Sequence, residues 1–377
     1  MPWNEINTVD LREDFVHLAT CGGITMSELC RRFAVSRKTG YKWLKRFQEG
    51  GVVGLADKSR TPMHQPLRTA EELERLILAS RDRYPDWGAR KLHRILTTAG
   101  HRDLPVISTI TEILRRHDKL KAPLIPQRAY IRFEHPYPND LWQMDFKGHF
   151  KVGQERCHPL TVLDDHSRYS LCLQACSNEQ TLTVKQALVR TFRCYGLPRR
   201  MTMDNGPPWG GGGTSRFSKL TVWLIEQGIT VGHSRPYHPQ TQGKDERFHR
   251  TLNTEVLGRR EFASMTRCQK AFDSWRTQYN QIRPHEALAM ETPASRYKVS
   301  QRAYHESLPP YDYGDTDQLR KVSRDQSAGF QNYRIPVGEA FVGKQIVFRP
   351  TQVDGHYTLH FCHQMIGKID LTNMTKR

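Results

Sequence analysis

No run in the 377 residues is apolar for long enough to span a bilayer, and the first residues lack the basic-then-apolar pattern of a secretory signal. Cysteine is sparse and scattered: eight residues from Cys21 to Cys362, with no Cys-x-x-Cys and no paired Cys and His at finger spacing. A zinc-stapled module and a disulfide framework therefore both lack support, and reduced thiols in a cytoplasmic protein are expected. Cys172 and Cys176 share one face of a predicted strand and are expected to pack. Acidic charge is also in short supply, with 39 Asp and Glu against 57 Lys and Arg, a net charge of +18. Residues 1–135 carry +8 of it and the remainder +10, so the excess is not a tail. A polyanion is the expected partner, with nucleic acid first. The length allows about two to four domains.

What the sequence does contain is organised around Arg235–Leu252. Pro236 and Pro239 push the residues before them out of the helical region. After Gly243 a helix is expected, with Phe248, Leu252 and Val256 as its buried stripe. Glu246 stands in its first turn, with Lys244, Arg247 and Arg250 around it as expected DNA contacts. Upstream, residues 141–150 alternate: Trp142, Met144, Phe146 and Phe150 on one face, Gln143, Asp145, Lys147 and His149 on the other. Residues 200–206 repeat the pattern, with Met201 and Met203 opposite Thr202 and Asp204, and Asn205-Gly206 closing the strand. Two strand aspartates and a helix glutamate form an acidic trio that is costly without a cation among the carboxylates. All-oxygen ligation suits Mg²⁺ or Mn²⁺, and a pair of such ions performs in-line displacement at phosphorus.

Asp145, Asp204-Asn205-Gly206 and then Pro236-Tyr-His-Pro-Gln-Thr-Gln-Gly-Lys-Asp-Glu-Arg-Phe-His-Arg-Thr-Leu252 together resemble the DDE integrase core of insertion-sequence transposases. The likeness is to the IS481 group, related to the IS3 family and to retroviral integrases. It implies an RNase H-like fold with Asp145, Asp204 and Glu246 as catalytic metal ligands. The 41 residues between Asp204 and Glu246 exceed the about 35 of the family's common pattern. The surplus fits a loop insertion at Trp209–Gly213. Asp245 rivals Glu246 as third ligand, but helix neighbours point about 100° apart, and the Gly-x-x-Glu-Arg pattern selects Glu246.

The fold expected is multidomain: N-terminal helix-turn-helix modules, an α/β RNase H-like core and a small all-β C-terminal domain. The first module covers 1–54. A capping box at Thr25–Glu28 opens one helix, which buries Leu29 and Phe33. Ser36 caps a second, which turns Tyr41, Leu44 and Phe47 inward and leaves Arg37, Lys38, Lys42 and Lys45 outward for DNA. A linker at 55–66 carries Arg60, Pro62 and Pro66, and solvated charge is its simplest reading. The second module, 67–122, begins with another capping box at Thr69–Glu72. It buries Leu73, Leu76, Ile77, Ile110, Ile113 and Leu114, and it offers Arg115 and Arg116 to DNA.

The catalytic core is placed at 136–300. Within it, Asp164-Asp165-His166-Ser167-Arg168 is expected to be a turn rather than a reactive site. A helix packing Phe272, Trp275, Tyr279 and Ile282 ends at Arg283-Pro284-His285. Residues 318–377 give short strands of an SH3-like barrel that contacts DNA, another subunit or both. The expectation is a transposase that binds element ends as double-stranded DNA, works as a homo-oligomer, and cleaves and joins 3′ ends with two Mg²⁺ or Mn²⁺ ions. Trp209 would pack on the nucleotide beside the scissile phosphate if its glycine loop orders on DNA. The alternatives are a plain RNase H-like nuclease and a two-module DNA-binding regulator with a degenerate core.

Overall fold

The computed structural model describes residues 7–58, 68–120, 134–210, 216–233, 243–315 and 317–374. Arg60, Pro62 and Pro66 of the linker, Gly211–Gly213, and the 234–242 half of the organising stretch lie outside them. No described helix is long and apolar enough to cross a membrane. The chain forms two compact units, Met1–Arg68 and Thr69–Arg377.

Among its described residues the first unit has three α-helices, α1 (Thr8–Cys21), α2 (Met26–Arg32) and α3 (Arg37–Gly50). The sequence reading had no counterpart of α1, whose Phe15 and Val16 are buried. Thr25 accepts from the Glu28 amide and Ser36 from the Thr39 amide, so both N-caps form as expected. Of the inward stripe expected on α3, Leu44 and Phe47 pack against the core, and Tyr41 does not. Gly40 and Trp43 are buried, whereas Tyr41 is 50% exposed. The cause is Gly40: a Cβ there would lie 2.7 Å from Cys30 Sγ and 2.8 Å from the Phe15 ring. The helices close on the glycine, and Trp43, three residues on, follows it inward. Leu55 is fully buried in this core, so the linker begins later than 55.

The second unit opens with α4 (Glu71–Arg83), α5 (Ala89–Thr98) and α6 (Ile107–Arg116), which close on Ile77, Leu92, Ile110, Ile113 and Leu114. The capping box expected at Thr69 is absent, because Ala70 occupies the cap position. A mixed sheet follows. Strands β1 (Leu141–Phe146), β2 (Phe150–Val152), β3 (Glu155–Asp164) and β4 (Ser170–Cys176) are antiparallel to their partners. The single strand expected over 141–150 is thus two, broken at Gly148, whose φ is +85°. Helix α7 (Thr181–Tyr195) then crosses to β5 (Arg200–Met203), and α8 (Lys219–Glu226), held by a Ser218–Thr221 capping box, crosses to β6 (Thr230–His233). Both of the last strands run parallel to β1, giving the order β4-β3-β1-β5-β6 with β2 on the outer part of β3.

One sheet face packs Trp142, Met144 and Leu160 on Leu188, Phe192, Leu220 and Leu224 of α7 and α8. The other packs Leu163 and Leu173 on α9 (Gly243–Glu255) and α10 (Met265–Gln281), through Phe248, Leu252, Phe272 and Trp275. Ile282, expected inside, is 41% exposed because α10 ends at Gln281. The short α11 (Pro293–Arg296) leads towards the all-β part. There β7 (Gln318–Lys321), β10 (Gln345–Pro350), β11 (His356–Phe361) and β12 (Gln364–Asp370) form one antiparallel sheet, and β8 (Ser327–Phe330) pairs with β9 (Tyr333–Pro336). Phe330 stacks on Phe348 at 4.1 Å, and Phe341 joins this domain to Phe217 of the core.

The Arg283-Pro284-His285 segment is a latch rather than only a helix end. Arg283 Nε donates to Glu255 at 3.0 Å, and Trp275 Nε1 donates to the same carboxylate at 2.8 Å, which ties α9 to α10. Asn280 bonds both the amide and the carbonyl of Ser170. His285 is buried with its ring edge-on to Tyr279, and burial first, then the Arg283 and Lys91 charges, holds its pKa down at about 2. An unfolded histidine takes a proton near its ordinary 6.5. Below that pH the unfolded chain binds the extra proton and the folded chain does not, so stability is full above 6.5 and falls with acid. Replacing His285 with Gln should lower the slope of unfolding free energy against pH by about one proton between pH ~6.5 and ~4. Equal slopes in urea titrations of both proteins would refute this.

The DNA-stacking role expected for Trp209 is corrected. The loop after β5 turns back on itself, with the Trp209 and Gly210 amides both donating to Gly206 O at 2.9 and 3.0 Å. Gly210 is needed there, since a Cβ would fall 2.2 Å from Asn205 O. The indole is thereby carried under the sheet, 2% exposed and stacked on Phe146 at 5.4 Å. Trp209→Ala should cost about 3–5 kcal/mol of stability, as for other buried aromatics. Unchanged thermal stability in the variant would contradict a core role.

Candidate active site

Strands β1 and β5 run parallel, with Leu141 opposite Arg200 and Gln143 opposite Thr202. Two residues further on, the same register sets Asp145 level with Asp204 at the strands' C-terminal ends. The sequence reading named both, and the fold brings them together. Asp145 is half-buried, and its carboxyl pKa is pushed up to about 6 by burial, then by the Asp204 and Glu179 charges, against a bond from the Phe146 amide. Asp204 is exposed; its Oδ1 accepts from the Asn205 amide at 2.8 Å, and its carbonyl accepts from His233 Nδ1 at 3.0 Å.

Helix α9 is fixed to β1 through one hydroxyl. Thr161 Oγ1 donates to the Asp145 carbonyl at 3.0 Å, and His249 Nε2 lies 2.9 Å from the same oxygen. Burial, with the Lys147 charge, lowers the His249 pKa to about 4, so the ring is neutral at ordinary pH. The residues one turn before His249 are Asp245 and Glu246. Glu246 is exposed and accepts from Arg250 at 3.0 Å, an i,i+4 surface pair. Asp245 instead points inward, 1% exposed. Neither of its carboxylate oxygens has a hydrogen-bond partner. Burial first, then the Asp145 and Asp165 charges, raises its pKa well above the usual range. The geometry therefore turns the rival, Asp245, towards Asp145, and leaves Glu246 on its arginine.

Among the described residues no three His, Cys, Asp or Glu side chains are gathered closely enough to hold a metal ion. The donor chemistry nonetheless fits a hard divalent cation. The groups are all carboxylates; burial and then neighbouring carboxylate charge raise the proton affinity of Asp145 and Asp245, and Asp245 has two orphaned buried oxygens. A cation reverses each of these penalties.

The expected DNA contacts divide. Arg37, Lys38, Lys42 and Lys45 all lie on the exposed side of α3. Lys42 sits 4.8 Å over the Trp43 ring, and Lys45 pairs loosely with Glu49. Arg247 is exposed on α9. Lys244, by contrast, is turned inward onto the side chain of Asp165, which also accepts from Gln143 and the His135 amide. It holds the 164–168 turn to α9. That turn is structural as expected, with Asp164 accepting from the Ser167 and Asn139 amides at 2.7 Å. On α6, Arg115 pairs with Glu112 at the surface. Arg116 bonds Glu74 at 2.7 Å beside His117 at 2.6 Å, and Glu74 is 5% exposed. Arg116 is thus a strut between α6 and α4. His249 and Thr161 were missed; the signal for His249 was its i+3 spacing from Glu246.

Known families match along the chain in the order of its parts. A helix-turn-helix domain covers residues 12–63 and a homeodomain-like domain 39–114. Integrase core domains cover 135–239 and 227–293, and the C-terminal domain of IS481 family transposases covers 317–377. The 39.2 kDa protein of insertion element IS476 from Xanthomonas euvesicatoria is 25% identical over 74% of this chain and 81% of its own length. The 31.7 kDa protein of insertion element IS407 from Burkholderia multivorans is 26% identical over 67% of this chain and 90% of its own length. Among solved structures, the catalytic core domain of HTLV-2 integrase in complex with magnesium aligns at 16% identity and a TM-score of 0.34, over 43% of this chain and 99% of that one. The chain thus carries helix-turn-helix, integrase core and IS481-type transposase C-terminal domains in succession, and it is similar to insertion-element proteins over two thirds or more of its length.

Proposed function

We propose that this transposase binds its element's ends as double-stranded DNA, cleaves the 3′ ends by hydrolysis and joins them to target DNA. The observation that carries the reading is the level placement of Asp145 and Asp204 at the ends of two parallel strands, with the Asp145 carboxyl pushed up to about 6. Asp145, Asp204 and Glu246 would hold Mg²⁺ or Mn²⁺, two ions in the full site. Bound there, such ions lower the pKa of water and stabilise the leaving 3′-oxygen. The chain's own part is placement. Thr161 and His249 fix α9 against the Asp145 strand, and the His233 bond holds the backbone at Asp204. Glu246 must exchange Arg250 for the centre. A homo-oligomer holding both ends, acting on chromosomal DNA in the bacterial cytoplasm, completes the reading. A second reading, in which Asp245 supplies the helix's carboxylate, is favoured by its two orphaned oxygens.

Asp145→Asn, Asp204→Asn and Glu246→Gln should each abolish cleavage and joining and leave end binding within about twofold, because phosphate affinity resides in other groups. Asp245→Asn should retain activity and should be stabilised by added Mn²⁺ in thermal melts as the parent is expected to be. If Glu246→Gln keeps both while Asp245→Asn loses both, the second reading is correct.

DNA reading is assigned to α3. Lys38→Ala, Lys42→Ala and Lys45→Ala should weaken end and random DNA alike, each lowering the salt slope of binding by about one unit if it meets a phosphate. Arg116→Ala should instead lower stability, since it leaves Glu74 buried with only His117. Selection of end over random DNA that survives deletion of residues 1–68 would remove α3 as a reader.

A further inference from the structure

A second opening adjoins the centre. β6 is the last strand of the catalytic sheet and β12 the last strand of the C-terminal sheet. Where the two edges meet, the Gln364 side chain bridges them, accepting from the Val231 amide and donating to its carbonyl, both at 2.8 Å. Beyond that bridge the edges part around a cavity of about 330 Å³, at the lower end of the range that encloses single small ligands. Arg216, Phe217, His233, Met365, Gly367 and Lys368 line it, and no acidic side chain does among the described residues.

His233 connects this cavity to the catalytic pair. Its Nδ1 lies 3.0 Å from the Asp204 carbonyl, an oxygen that only accepts, so Nδ1 carries the proton. In the neutral ring that leaves Nε2 as an acceptor, and Nε2 is buried with no hydrogen-bond partner. A buried unpaired polar atom is costly and wants a donor. An apolar ligand cannot supply one; the exocyclic amino group of a base can. Phe217 offers an aromatic wall, and Arg216 and Lys368 place positive charge at the rim.

Resting on the reading of the centre as a DNA-processing site, we propose that this cleft holds one nucleotide of an unpaired DNA strand beside Asp204. Its base lies against Phe217 and donates to His233 Nε2, and its phosphates meet Arg216 and Lys368. Two facing sheet edges also suit an extended peptide, but the charge on the lining, which among the described residues is Arg216 and Lys368 alone, and the bond from His233 to the Asp204 carbonyl favour the nucleotide. The C-terminal domain then serves as the second wall of a strand-separating site, and duplex ends that open are preferred over ends that stay paired.

The test uses the full-length protein with EDTA, so that no strand is cut. Two DNAs of the same sequence are compared by fluorescence anisotropy, one a blunt duplex and one with a short single-stranded arm. The arm should tighten binding about tenfold, within the contribution of one stacked base. Gly367→Val puts a branched side chain on the cleft wall, at a position where the nearest atom to a Cβ is Leu359 Cβ at 3.9 Å, an ordinary contact. This variant should bind the blunt duplex as the parent does and lose the arm preference, and Lys368→Glu should reduce that preference. An arm carrying 5-iodouracil should crosslink to Phe217 or Met365. Blunt-duplex binding with no arm preference in the parent, or a preference that survives Gly367→Val, overturns the proposal alone. The second outcome, joined to altered self-association of Gly367→Val, would assign the cleft to a peptide strand. Failure to bind either DNA overturns it together with the reading it rests on.

Discussion

Like charges do not gather in a half-buried place unless the backbone gives them no choice. Here the parallel register of β1 and β5 removes the choice, because Asp145 and Asp204 extend two adjacent strands to the same level. Burial first, and then the Asp204 and Glu179 charges, raise the Asp145 pKa, and the surrounding architecture is what sustains this cost. Trp142 and Met144 anchor β1 on the α7–α8 face, and Met201 and Met203 do the same for β5. The strands cannot splay to relieve the charge without opening that core. The loop beyond Asp204 is likewise closed by Trp209 on Phe146, the neighbour of Asp145. Folding free energy stored in apolar packing thus maintains a local electrostatic cost, the usual relation between scaffold and centre.

Helix α9 is held with the same economy. Thr161 touches both the Asp145 carbonyl and His249, Lys244 grips the Asp165 turn, and Glu255 is shared by Trp275 and Arg283. These three ties sit at the start, middle and end of one 13-residue helix. Each uses a polar group buried with its partner, so each specifies a rotation of α9 that an apolar stripe alone would leave loose. The Tyr279–His285 segment, which carries no chemistry, is explained by this requirement.

Much of the fold was legible because the informative signals were local. Alternation gave the β1 and β5 faces, and Ser36 capped α3. The aspartate pair was legible because both residues stand on strands with one apolar side, where period two leaves no doubt about direction. What was not legible depended on contacts between distant segments. The inward set of α3 turned on Gly40 meeting Cys30 and Phe15. Arg116 and Lys244 looked like DNA contacts, because nothing local reveals that Glu74 and Asp165 wait for them. Trp209 looked exposed in its glycine run, and only the Gly206 turn carries it under the sheet. Basic residues are the hardest to place by pattern, since a buried strut and a free phosphate contact have the same sequence.

The pair Asp245 and Glu246 shows how finely such a centre is set. Adjacent helix positions point about 100° apart, so a modest roll of α9 exchanges which carboxylate meets Asp145. The present rotation buries the Asp245 carboxylate with both oxygens orphaned and leaves Glu246 on Arg250. Burial without partners favours the protonated acid, which neutralises the crowd around Asp145. A cation entering between the strand ends would remove the reason for that neutral acid and draw in a charged carboxylate instead.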